Sequence, residues 1–140
     1  MKNRVFATFS ALTLLTSAAA FGQIRAALDA DIPFEFHVGE TILPAGHYEV
    51  RSGITPGVLS IRCFDCKAGA LVMASPVESG KASETGSLVF LQHNGTYFLS
   101  KVWTRGSAEG RELSPSKTER ELARNGLPGP SVVVAGIGRR

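Results

Sequence analysis

Only two of the 140 residues are cysteine, one is tryptophan and 19% are charged. Two cysteines are too few for a dense disulfide scaffold of the small secreted kind. The low charge and a 44% hydrophobic share exclude a chain that stays disordered for want of apolar surface. Charge of one sign is also scarce. The formal net charge is +3, but residues 1–22 hold Lys2 and Arg4 and no acid, which leaves thirteen basic against twelve acidic residues. A nucleic-acid partner therefore has no electrostatic footprint here. Beyond residue 22 no apolar run is long enough to span a bilayer as a helix. The length suits one small domain with a modest core.

The first segment has the form of an export signal. Lys2 and Arg4 make a positive start, residues 5–16 are apolar but diluted by hydroxyls, and Ala18-Ala19-Ala20 supplies an A-x-A cleavage pattern. Cleavage after Ala20 and after Gly22 read equally well. The expectation is a cleaved signal peptide over 1–22, a linker over 23–31 and a protein exported to the periplasm or the exterior.

From Ile32 the period becomes two. Ile32, Phe34, Phe36 and Val38 alternate with polar or small residues, which predicts a half-buried strand with Pro33 near its start. Gly39-Glu40 turns the chain into a brief return strand at Thr41, Ile42 and Leu43. Pro44-Ala45-Gly46 is a tight turn, and Tyr48 and Val50 then alternate with His47, Glu49 and Arg51. Further strands are expected over 58–62 and 70–75, and the polar, small residues 76–86 read as a mobile loop. The strongest local signal is SLVFLQH-NG-TYFLSKVWT, two β-rich runs joined by Asn94-Gly95, the preferred type I′ hairpin turn. Simple alternation puts Val89, Leu91, Phe98 and Val102 on one face, and Leu88, Phe90, Tyr97, Leu99 and Trp103 on the other. Both faces are apolar, so the hairpin is expected at the centre of the fold with Phe90 and Trp103 buried. Ser116 and Glu119 form an S-x-x-E capping box for a helix near 116–125, with Gly126 at its end. Residues 127–140 read as a tail or an edge strand. These elements predict one all-β domain over 32–126, mainly antiparallel, a small β-barrel or sandwich with one short C-terminal helix.

Few constellations could carry chemistry. Cys63 and Cys66 sit at i and i+3 of a turn, close enough for a disulfide that staples a hairpin tip. Two other readings are open: a redox C-x-x-C-K site, or half of a four-ligand zinc site. The redox reading wants a helix after the first cysteine, and the residues after Lys67 read as strand. His37 and His47 fall on the polar phase of neighbouring strands, and His93 flanks the Asn94-Gly95 turn, where solvated polar residues are usual. No H-E-x-x-H, no G-x-S-x-G and no phosphate-cradling glycine loop occurs. Phe34, Phe36, Tyr48, Phe90, Tyr97, Phe98 and Trp103 form either core or the wall of a ligand cavity, core being the commoner use of aromatics at strand period.

The segment FEFHVGETILPAGHYEVR resembles small exported bacterial proteins of unknown function that carry F-x-V-G…L-P-A-G-x-Y-x-V, an apolar hairpin and a helix like S-K-x-E-R-E-L-A. The matching residues are Phe36, Val38, Gly39, Leu43, Pro44, Ala45, Gly46, Tyr48 and Val50, then 116–123. The resemblance implies a compact β-barrel-like domain and carries over no activity and no functional residue. The expectation is thus a non-enzymatic binding or structural module of the envelope or exterior, with no cofactor and no metal. The alternatives are a thiol-disulfide protein using Cys63 and Cys66, and a lipocalin-like carrier of an apolar ligand.

Overall fold

The computed structural model describes residues 27–53, 55–126 and 129–137. The expected signal peptide, residues 23–26 of the expected linker and the last three residues lie outside the described part. The elements run β1 (Ala27–Ile32), β2 (Phe36–Val38), β3 (Thr41–Leu43), β4 (Gly46–Ser52), β5 (Val58–Cys63), β6 (Gly69–Glu78), β7 (Ser87–His93), β8 (Thr96–Trp103), β9 (Glu109–Leu113), α1 (Lys117–Asn125) and β10 (Ser131–Ala135). The fold is all-β with one C-terminal helix, as the periodicity predicts.

One mostly antiparallel sheet takes the order β1-β4-β5-β6-β9-β8-β2-β3, and β7 lies between β8 and β10 on a second branch. Strand β6 joins the two halves. Its residues 69–73 pair with β5 and its residues 74–78 pair with β9. The apolar core is shared by Leu28 and Ile32 of β1, Tyr48 of β4, Ile61 of β5, and Leu88 and Phe90 of β7. The sheet does not close into a barrel. Where β1 and β10 approach, the described residues make one isolated bridge, Asp29 to Ile137, and the Gly136 N–H goes to the Gly86 carbonyl.

The strongest signal is realised as predicted. Asn94 has φ 51° and Gly95 φ 78°, the left-handed pair that a type I′ turn requires. The expected register holds from His93 opposite Thr96 to Phe90 opposite Leu99. It then shifts. Val89 pairs with Lys101, so Ser100 is an extra residue in β8, a β-bulge. The bulge reverses the phase of the rest of β8. Val102 faces the core at 6% exposure, and Trp103, expected to be buried, is half-buried on the other side. Leu99 and Val102 therefore share the core face, which simple alternation keeps apart. The bulge also divides one edge of β8. Tyr97 and Phe98 meet β2 in parallel, whereas residues 101–103 meet β9 antiparallel.

Other boundaries move as well. Residues 27–31, expected as linker, form most of β1, because Leu28, Ala30 and Ile32 already alternate and all three are buried. Pro33 ends that strand rather than opening the next. Residues 76–78, expected in a loop, continue β6, with Pro76 opposite Arg111 of β9. Pairing with β5 stops at Met73, so this stretch of β6 can hold a residue that lacks an N–H. Strand β9 has no counterpart in the sequence reading. Strand β10 realises the edge-strand option, pairing with β7.

Candidate functional site

Three places bring polar or reactive groups together. The first is the tip of the β5–β6 hairpin. Cys63 and Cys66 lie at disulfide-bonding distance with Cα atoms 5.4 Å apart. The Cys63 N–H donates to the Ala68 carbonyl, the Phe64 N–H to the His47 carbonyl, and the Cys66 N–H to Cys63 Sγ at 3.1 Å. Tyr48 supports this tip from below. Its hydroxyl donates to the Pro44 carbonyl at 2.6 Å and stands 4.0 Å from Cys66 Sγ, and burial raises its pKa above the ordinary range, so it stays a donor. The tyrosine and proline of the L-P-A-G-H-Y stretch thus meet across their own turn. The element after Cys66 is strand β6, not a helix whose N-terminus could stabilise a thiolate.

The second place is a buried polar pair beneath α1. Ser116 caps the helix by accepting the Glu119 N–H at 3.1 Å, the forward half of the predicted capping box. Glu40, from the β2–β3 turn, accepts the Lys117 N–H at 2.9 Å and so holds the same helix end. Gly126 is extended rather than left-handed, so it is not the expected C′ glycine. Glu119 is the buried residue of α1, and His93 lies opposite it with Nε2 3.7 Å from Oε1. Burial pushes the Glu119 carboxyl above its ordinary range; His93 and the Ser116 N–H pull it down without cancelling that effect. His93, expected in solvent beside the turn, is only 8% exposed, and its Nδ1 is buried with no hydrogen-bond partner among the described residues. The nearby ring of Phe98 is 5.8 Å from His93 and 4.7 Å from His37. A short polar helix conceals this site from sequence reasoning, because a helix with little apolar surface gives no sign of what it covers.

The three histidines are not brought together. His47 bonds Asp31 Oδ1 through Nδ1 at 2.5 Å on the β1–β4 ladder, while His37 is on β2. Among the described residues no group of three His, Cys, Asp or Glu side chains is arranged to hold a metal.

The third place is a cavity of about 200 Å³ at one end of the core. It opens where the end of β4, the start of β5, the end of β8 and the start of β9 converge. Leu28, Val50, Leu59 and Val102 give it an apolar floor, and each of them is also a buried core residue. Trp103, Thr104 and Ser107 contribute to the wall; Arg51, Glu109 and Arg111 bring charge. The local sequence explains its shape. The Ser100 bulge turns Val102 inward, and Trp103 falls opposite Gly110, whose bare backbone lets the indole lie close. A Cβ at Gly110 would sit 2.5 Å from the Trp103 ring and 2.7 Å from the Val102 carbonyl. Of the aromatic residues named as core or cavity, Phe34, Phe36, Tyr48, Phe90 and Tyr97 belong to the core or pack on it, and Trp103 reaches the cavity.

Compared with protein-family models, curated proteins and solved structures, the chain matches none. Function has to be argued from the sites themselves.

Proposed function

We propose that this chain is an exported, non-catalytic binding module that holds a small molecule in the end cavity. The observation that carries this reading is the cavity itself, an apolar recess continuous with the core yet open at the sheet end and fringed by polar groups. Recesses of that character are where proteins commonly bind small ligands. At about 200 Å³ it lies below the roughly 300–1,000 Å³ typical of drug-sized ligands. The occupant is therefore a compact molecule, and a carrier of long lipids is disfavoured. The charged start with its A-x-A pattern supports export, and the cysteine pair at bonding distance suits an oxidising compartment. In this reading Cys63 and Cys66 staple the β5–β6 tip and do no catalysis.

The test is a titration of the purified protein with a panel of compact aromatic and aliphatic molecules, monitored by the emission of Trp103, the single tryptophan. Saturable changes are expected with some of them. Leu59→Phe, which fills the cavity from its floor, should abolish those changes while the variant stays folded by circular dichroism. Equal responses from the folded, cavity-filled variant would sink the reading.

A further inference from the structure

Arg111 has an unusual position for a guanidinium. In the β8–β9 ladder it is directly opposite Val102, which is 6% exposed and part of the core. Directly opposed residues of an antiparallel pair share a sheet face, so Arg111 projects from the core-facing side. The alternation of β9 agrees, since Leu113, two residues on, is buried in the same core. Arg111 is itself half-buried and lines the cavity. Of the other charged residues there, Arg51 is already engaged by Glu49 through Nε, and Glu109 is exposed at the rim. Arg111 makes no side-chain hydrogen bond or ion pair among the described residues. A guanidinium taken partly out of water in a cavity floored by Leu28, Val50 and Leu59 loses hydration that nothing among the described residues replaces. Its planar fork is suited to two parallel hydrogen bonds to one carboxylate.

We propose that the end cavity takes a small monoanionic carboxylate with a compact apolar body, the carboxylate on Arg111 and the body on Leu28, Val50 and Leu59. This rests on the cavity being the binding site and adds its ligand class. Length is limited by the volume, which suits one aromatic ring or a short aliphatic chain. Among the described lining residues a second anionic group has no free cation, because Glu109 stands at the rim and Arg51 is occupied by Glu49.

The experiment is isothermal titration calorimetry of the full protein with benzoate and with benzyl alcohol, which share the ring and differ in charge. Benzoate should bind about tenfold or more tightly, the factor expected for a charge-assisted, partly buried pair. Arg111→Met should remove that advantage and leave benzyl alcohol within about twofold of its original affinity. Arg111→Lys should restore part of it, since the charge returns without the fork. Circular dichroism of both variants reports whether they remain folded. Equal affinity for the two ligands, or benzoate binding unchanged in a folded Arg111→Met, overturns the carboxylate assignment while leaving the cavity as a binding site. If neither ligand binds while other molecules of the panel still act on Trp103, the carboxylate class is wrong. If nothing binds at all, the cavity reading fails with it.

Discussion

Replacing Phe90 with alanine tests whether the β7–β8 hairpin is the mechanical centre of the domain. Phe90 is fully buried, opposite Leu99 on one side and Val132 on the other, so ordered strands flank it on both edges. Its ring meets Phe34 edge-on at 5.1 Å and Phe36 at 5.4 Å. Truncation of a buried phenylalanine costs about 3–5 kcal/mol, the larger values where surrounding groups cannot collapse into the hole. Two edge-to-face contacts, each worth about 0.5–1.5 kcal/mol beyond burial, vanish with the ring. Paired strands on both sides resist collapse, which places the expected cost near 4 kcal/mol. That is a large share of the roughly 5–15 kcal/mol available to a domain of this size. Reversible urea unfolding, monitored by Trp103 emission and by far-ultraviolet circular dichroism, measures it. With a slope of about 2 kcal/mol per molar, the midpoint should fall by about 2 M. Val133→Ala on the exposed side of β10 is the control and should change stability by less than about 0.5 kcal/mol. A cost under about 1 kcal/mol for Phe90→Ala would refute the central placement.

Glu119→Gln should make stability less dependent on pH. Burial raises the folded-state pKa of Glu119, so its favourable contribution is complete below the ordinary value of 4.5 and is lost as pH rises through the raised one. The stability of the variant relative to the wild type should therefore rise as pH climbs above 4.5, as urea midpoints across a pH series will show; a variant that instead loses ground to the wild type over that range contradicts the burial argument. Replacing Cys63 and Cys66 together with serine should keep the fold and cost no more than about 2 kcal/mol, because the closed loop is so short. The wild-type pair should not turn over in an insulin-reduction assay, and turnover abolished by Cys63→Ser would establish the redox alternative.

Much of the fold is legible in the sequence where order is local. Asn94-Gly95 specifies both a turn and four residue pairs of register, and Ser116 with Glu119 marks the start of the helix to within a residue. The illegible parts depend on an extra residue or on a distant partner. In Phe98-Leu99-Ser100-Lys101-Val102 nothing chemical distinguishes the bulge from ordinary alternation, yet it decides that Val102 enters the core and Trp103 does not. Strand β9 hides for a related reason. Its inward residues include Arg111, a residue type that usually signals solvent, and Gly110 is needed only because Trp103 lies against it. The sequence hints at the end cavity only as one alternative use of the aromatics, and the apolar floor comes from β1, β4, β5 and β8, strands far apart in the chain. His93 and Glu119 are twenty-six residues apart and meet because α1 folds back over β7, a packing event with no periodic signature.

The central claim, that the end cavity is where this module binds, is tested most directly by two-dimensional amide NMR of the labelled protein during titration with benzoate and the wider panel. The account predicts saturable shift changes concentrated at Leu28, Val50, Leu59, Val102 and Gly110, with the β5–β6 tip at Cys63 and Cys66 unmoved. Saturable changes centred on that tip, or on the outer face at Leu71 and Met73, with the cavity residues silent, would contradict it.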